Sequence, residues 1–212
     1  MRIDVFSDVV CPWCFVGKRR LEQALAESGL ADAEIHWHAF QLNPDLPPEG
    51  VDRRRYLESK FGVGAIERIH ARLDEAGRSA GISFQFDRIQ RSPNTRDAHR
   101  LLWLAGTLGR QGALKEALMN AYFIEGRDVG DRRVLTEIAA AVGIDADVPA
   151  FLAGDGGVRA VEEDLRTAAQ LQITGVPFFI LDERIGLAGA QPPEVFRQAL
   201  DAARDQPRQP IG

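Results

Sequence analysis

The only two cysteines in this 212-residue chain stand three apart, as Cys11-Pro12-Trp13-Cys14. A pair so placed is a redox dithiol signature when a strand runs into it and a helix leaves from it. Both flanks fit. Residues 2–6 read as a short strand, and residues 12–26 as a helix with Pro12 near its first turn, where a missing N–H costs nothing. The chain therefore has to open strand–loop–helix, with Cys11 at the helix N-terminus. Unpaired N–H groups and the positive end of the dipole favour a thiolate there. Cys11 is expected to be the more exposed thiol, the one that attacks or is attacked. Cys14, one turn further in, is expected to be more buried and to resolve the mixed disulfide. The expected partners are thiol- or disulfide-containing proteins or small molecules.

Blander readings exist. Two cysteines can be ordinary buried residues, but chance rarely sets the only pair at this spacing behind a strand. Zinc usually wants four ligands. No second C-x-x-C exists, and His36 and His38 form an H-x-H on a strand, so no metal is expected. The net charge is −5, and Arg53-Arg54-Arg55 is the one short basic run, read as a solvated helix start. That argues against nucleic acid or an anionic membrane as partner, since both need concentrated positive charge. No apolar stretch approaches transmembrane length, and Asp4 and Asp8 interrupt any leader-like apolar run. The expected compartment is the cytoplasm, where disulfides are mostly transient and catalytic.

Along the chain, residues 34–40 alternate as a second strand, with Ile35, Trp37 and Ala39 on one face and His36, His38 and Phe40 on a half-exposed other face. Residues 1–40 thus read β-α-β, a parallel pair with a crossover helix. The turn-rich stretch 43–50 marks a boundary. From residue 51 to about 172 helical patterns dominate, at 52–61, 64–80, from a cap at Asn94 or Thr95 through 104, at 114–126, 131–142 and 157–172; residues 83–86 read as briefly extended. Asp131 suits an N-cap and Gly143 a helix stop. Strand signals return at 176–181 and 184–188 around a turn at Asp182-Glu183, followed by a last helix through 203 and a fraying tail, 205–212. The fold class is α/β: a β-α-β and β-β-α sheet unit from residues 1–48 and 173–212, interrupted by an all-helical insertion at 49–156, with the helix at about 157–172 leading back.

That arrangement resembles the thioredoxin superfamily, and within it the DsbA family, whose thioredoxin fold carries a helical insertion; narrower still, it is similar to cytosolic DsbA-like oxidoreductases of the FrnE type. The motifs that carry the resemblance span nearly the whole chain. They are residues 7–14 with the dithiol, Leu42-Asn43-Pro44-Asp45 with residues 47–52, Pro93-Asn94-Thr95 with Asp97-Ala98-His99-Arg100, residues 125–128, Gly175-Val176-Pro177-Phe178-Phe179, and residues 189–196. The resemblance implies that Cys11 and Cys14 are the redox pair and that Pro177 is the cis proline facing it, turning the Val176 backbone toward an extended substrate. It implies that Asn94, Thr95 and His99 lie on a part of the insertion that approaches the site, with His99 able to influence the thiolate. Pro12 and Trp13 are expected to shape the substrate groove. No cofactor is required by this chemistry; glutathione is a candidate co-substrate.

Two departures matter. Related glutathione-dependent isomerases and kappa-class transferases usually carry a single Ser or Cys here, so the second cysteine favours dithiol chemistry. The acid that thioredoxins bury behind the dithiol aligns with Val5, while Asp4 faces the other way and Asp8 lies on the loop. No proton acceptor for Cys14 is therefore assigned. Three functions stay open at this point: a thiol–disulfide oxidoreductase, a glutathione-dependent isomerase or transferase acting on a small aromatic or polyketide-like molecule, and a chaperone-like binding module. Nothing in the sequence assigns an oligomeric state.

Overall fold

The structure, a computed structural model, describes residues 1–205; residues 206–212, most of the tail for which fraying is expected, lie outside that range. The chain opens with β1 (Arg2–Ser7), α1 (Pro12–Glu27) and β2 (Glu34–Ala39), and β1 and β2 pair in parallel from Arg2–Glu34 to Ser7–Ala39. A hairpin-like pair of two-residue strands, β3 (Val51–Asp52) and β4 (Arg91–Ser92), brackets α2 (Arg53–Phe61) and α3 (Ile66–Ser79). Then come α4 (Arg96–Thr107), α5 (Gln111–Asn120), α6 (Arg132–Ala141), α7 (Val148–Ala153) and α8 (Val158–Gln170). The chain returns through β5 (Phe178–Leu181), β6 (Ile185–Ala188) and α9 (Pro193–Asp205). The main sheet has the order β2-β1-β5-β6, with β5 antiparallel to both β1 and β6.

Strand β1 is central and buried on both faces, so its apolar run does not alternate cleanly. Ile3 and Val5 pack on Leu21 and Leu25 of α1 and Phe196 and Leu200 of α9. Phe6 faces Ala168 of α8 and Ile173. The turn at Asp182 and Glu183 takes positive φ at both residues, as a tight antiparallel hairpin requires. Helix α1 serves two cores. Its C-terminal half belongs to the sheet, while Cys11, Cys14, Phe15 and Val16 pack into the helical segment beside Phe84, Leu101, Leu118 and Phe123.

Several local expectations change. Residues 83–86 form no strand; Phe84 and Phe86 stack 4.9 Å apart in the helical core and run into a 3-10 turn, Phe86–Arg88. The helix expected over 114–126 begins at Gln111 and ends in a π turn, Ala121–Glu125. Helix α7 was not anticipated; it is one and a half turns long and rests on Asp147, which accepts from Ala150 N–H at 2.9 Å. Buried Arg100 then holds α7 by donating to the carbonyls of Phe151, Leu152, Gly154 and Gly156.

Edge strand β2 is covered by side chains. Gln111 Oε1 accepts from Trp37 N–H at 2.9 Å, and its Nε2 donates to Trp37 C=O at 3.0 Å. Asp164 of α8 accepts from Ala39 N–H at 2.7 Å. The same carboxylate meets His38 Nδ1 at 2.7 Å, and His38 Nε2 meets Asp4 at 2.7 Å. Burial works against the His38 charge, but Asp164 and Asp4 outweigh it and lift the imidazole to about 9. A raised histidine stabilises the fold fully below its unfolded value near 6.5 and loses that contribution as pH rises through about 9. Denaturant unfolding of the wild type is expected to lose on the order of 2 kcal/mol more than His38→Gln between pH 6 and pH 10; equal losses in the two proteins would contradict this role.

Candidate active site

The first turn of α1 places the dithiol. Cys11 is the N-cap, in an extended conformation (φ −92°, ψ 112°), and its Sγ accepts from Cys14 N–H at 3.3 Å. Pro12 follows in the first turn, where its ring fits and its lost N–H is not needed. Both thiols are free and buried, Cys11 at 4 % exposure and Cys14 at 1 %. Cys11 Sγ lies 3.6 Å from Val176 C=O, and the Val176–Pro177 bond is cis. This approach depends on Gly17, one helical turn beyond Cys14. A Cβ there would stand 2.9 Å from Pro177 Cγ and 3.1 Å from Phe179 Cζ, so a larger residue pushes the proline loop off the helix.

Behind the dithiol lies a set of buried polar groups. Asp8 is fully buried; His99 Nε2 meets its Oδ1 at 3.2 Å, and Leu42 N–H donates to its Oδ2 at 2.8 Å. Burial opposes the Asp8 charge, yet His99 and the Leu42 amide hold the carboxyl below its ordinary range. Ser7 Oγ and Lys115 Nζ are buried and, among the described residues, meet no hydrogen-bond partner. The Lys115 ammonium sits 5.4 Å over the Trp37 ring. Burial pushes Lys115 down to about 8, against the pull of Cys14 and Asp8.

The two thiols ionise as a pair. Burial resists ionisation of Cys14, but the neighbouring Cys11, Lys115 and the Asp8 amide outweigh it and lower its proton affinity. Cys11 is pushed well up, first because its proton is held on Cys14, then by burial and by the Cys14 charge. The first proton of the pair therefore leaves more readily than that of an ordinary thiol and the second less readily, and the two steps belong to the pair. Access distinguishes them. A cavity of about 490 Å³ opens beside Cys11 and includes Pro12, Trp13 and Val176 in its wall, but not Cys14.

The remaining sequence-derived candidates sit elsewhere. Pro177 is buried against Gly17, behind Val176. Asn94 and Thr95 do not line the cavity. Asn94 Oδ1 accepts from Arg96 N–H at 2.9 Å, its Nδ2 donates to Leu46 C=O at 2.7 Å, and buried Thr95 supplies its carbonyl to His99 N–H at 3.0 Å. His99 also stays off the cavity wall and reaches the dithiol region through Asp8. Sequence reasoning missed Asp8, Lys115, Ser7 and Gly17. Lys115 had a signal: it interrupts an apolar helix face between Leu114 and Leu118, where a charge needs a reason. Arg53 also departs from expectation, turning inward to donate to Tyr122 Oη at 2.9 Å instead of standing in solvent.

The chain belongs to the DSBA-like thioredoxin domain family, whose model matches residues 2–201, and so to a family of thiol oxidoreductases. It is 38 % identical to a probable DsbA oxidoreductase from Streptomyces coelicolor, covering 100 % of this chain and 93 % of that one at a TM-score of 0.91. It is 27 % identical over 209 residues to the uncharacterized protein YwbO of Bacillus subtilis (strain 168), covering 94 % of this chain and 96 % of that protein. The cytosolic disulfide reductase DsbM from Pseudomonas aeruginosa, solved with GSH, shares the fold at 20 % identity and a TM-score of 0.70, with 97 % and 100 % of the two chains covered. Among the described residues no helix is long and apolar enough to cross a membrane, and no cluster of three or more His, Cys, Asp or Glu is placed to hold a metal.

Two variants test this site. Lys115→Met removes the unpartnered ammonium; iodoacetamide should alkylate the reduced protein several-fold more slowly at neutral pH, while the oxidised protein unfolds about 1 kcal/mol harder. Unchanged alkylation would separate Lys115 from the dithiol. Gly17→Ala, with its helix content checked by circular dichroism, should lower disulfide turnover about tenfold through displacement of the proline loop; wild-type turnover would show that the close approach is unimportant.

Proposed function

We propose that the protein is a thiol–disulfide oxidoreductase in which Cys11 forms the mixed disulfide and Cys14 resolves it. The observation that carries this reading is the free Cys11–Cys14 pair at a helix N-cap, with Cys11 alone opening on a cavity. In exchange, the Cys11 thiolate attacks one sulfur of a disulfide. That S–S bond breaks, one thiolate leaves, and Cys11 is joined to the other half. Cys14 then attacks Cys11, releasing the second thiolate and leaving a Cys11–Cys14 disulfide. The protein has lost two electrons and the substrate has gained them, and the reverse sequence oxidises a dithiol.

The neighbouring groups support each step. The Cys14 N–H and the helix N-terminus stabilise charge on Cys11, and Lys115 favours charge on Cys14 when it must attack. The Val176 backbone beside Cys11 suits an extended thiol-bearing segment. Substrates in this reading are thiol- or disulfide-containing proteins or small molecules, and the reaction runs in the cytoplasm, where such pairs are transient and catalytic. The segment 49–156 acts as a helical lid on the unit formed by 1–48 and 173–212.

An insulin-reduction assay tests the roles. Cys11→Ser should lose essentially all activity. Cys14→Ser should also lose turnover, but it should accumulate a covalent adduct that dithiothreitol releases, visible by mass spectrometry. Wild-type activity in Cys11→Ser, or adducts on Cys14 in place of Cys11, would overturn the assignment.

A further inference from the structure

The cavity beside Cys11 carries a charge pattern that dithiol exchange itself does not require. Its wall includes Arg53, Lys60 and Arg72, and none of its residues is Asp or Glu, in a chain with 31 acidic residues against 26 basic ones. None of the three cations pairs with a carboxylate among the described residues. Arg53 donates to Tyr122 Oη at 2.9 Å. Lys60 donates to Asn43 Oδ1 at 2.7 Å and to Tyr56 Oη at 3.0 Å. The Arg72 guanidinium lies 5.5 Å over the ring of Trp13, the residue between the two cysteines.

The acids are sorted to the other side of α2. A second cavity of about 520 Å³, which shares Arg53, Leu57, Ile66 and His70 with the first, has Asp52, Glu58, Glu67 and Asp87 in its wall. There Arg54, the next residue along, pairs with Glu58 at 2.9 Å. The side of α2 that holds the thiol thus has Lys60 and the shared Arg53, joined by Arg72 of α3, with no carboxylate in the wall. Between the cations the wall is apolar, with Leu57, Phe61, Ile69 and Leu73. A volume of about 490 Å³ is that of a small-molecule site.

We propose that this site takes a low-molecular-weight anionic disulfide or thiol, one with a compact apolar body and at least one carboxylate, seated with its sulfur at Cys11 and its negative group among Arg53, Lys60 and Arg72. The proposal rests on the dithiol reading above. Cations in the cavity wall attract and orient an anion as it approaches, and the apolar wall covers its body.

The test compares two aromatic disulfides reacting with the reduced protein. 5,5′-Dithiobis(2-nitrobenzoate) carries two carboxylates, and 4,4′-dithiodipyridine is neutral at pH 7. With either reagent Cys11 displaces one arylthio group and Cys14 the second, so the protein ends as a disulfide and the reagent as two thiolates from the benzoate or, with a proton taken up on each ring nitrogen, two thiopyridones from the pyridine. A change in the reactivity of the dithiol moves both rates together, so the ratio of rates isolates recognition of charge. The ratio is expected to fall about threefold in Arg72→Gln and in Lys60→Gln, and about tenfold in the double variant. It is also expected to fall with added salt in the wild type and to stay unchanged in Arg54→Gln. Ratios in the cavity variants within twofold of wild type would overturn the proposal, as would a wild-type ratio of carboxylated to neutral reagent no larger than a free dithiol shows. Cys11→Ser separates the two ideas: if it reacts with both reagents like the wild type, the dithiol reading itself fails. If it loses both reactions while the ratios of the cavity variants do not move, the dithiol reading stands and the anionic substrate falls.

Discussion

A negative charge held out of water is costly unless other charges or dipoles meet it, and this protein sets a buried carboxylate, Asp8, beside a buried dithiol that must ionise to react. Much of the surrounding structure answers that constraint. Cys11 takes the N-cap of α1 and accepts the Cys14 N–H. Asp8 is met by His99 and the Leu42 amide. Lys115 arrives from α5 over the Trp37 ring with no hydrogen-bond partner of its own, and its charge favours ionisation of Cys14. Each of these groups is useful only because the others are present: without Lys115 and the helix terminus the thiolate would be expensive, and without the thiolate and Asp8 the buried ammonium would be.

The same constraint explains why the helical segment is bound into the site. His99 and Lys115 come from α4 and α5, and the first turn of α1 packs into the core those helices build. Further along, Lys18 of α1 donates to Glu116 of α5 at 2.6 Å, and Gln111 of α5 closes the edge of β2. On the other side, Gly17 lets the β5 loop approach α1 so closely that Val176 C=O reaches Cys11. The dithiol is thus held between a helical wall and the sheet's proline loop. Its open side faces a cavity whose cations lie on or beside α2 and α3.

The sequence made the sheet unit legible because its signals are local. A strand of apolar residues before the dithiol, alternation through Trp37, and the turn at Asp182-Glu183 each predict structure from neighbours in the chain. The cysteine pair was legible because Cys11 and Cys14 are the only ones and their spacing suits a helix terminus. What escaped was non-local. Strands β3 and β4 are two residues long and pair across about forty positions, too short for alternation to register. The extended reading of residues 83–86 failed because Phe84 and Phe86 find aromatic partners in the helical core in place of a strand. Asn94 and Thr95 are placed by loop and helix-cap bonds, away from the cavity. Asp8 read as a loop acid because only folding brings His99 to it, and Lys115 drew no reading because only folding closes water away from it.

The account turns on one charge shared by two buried thiols. The absorbance of the thiolate near 240 nm, followed against pH in the reduced wild-type protein with the oxidised protein as blank, measures that sharing directly. One thiolate's worth of absorbance should appear below the ordinary thiol value of about 8.5, with the second appearing only well above it. Two thiolates forming together near that ordinary value would contradict the account.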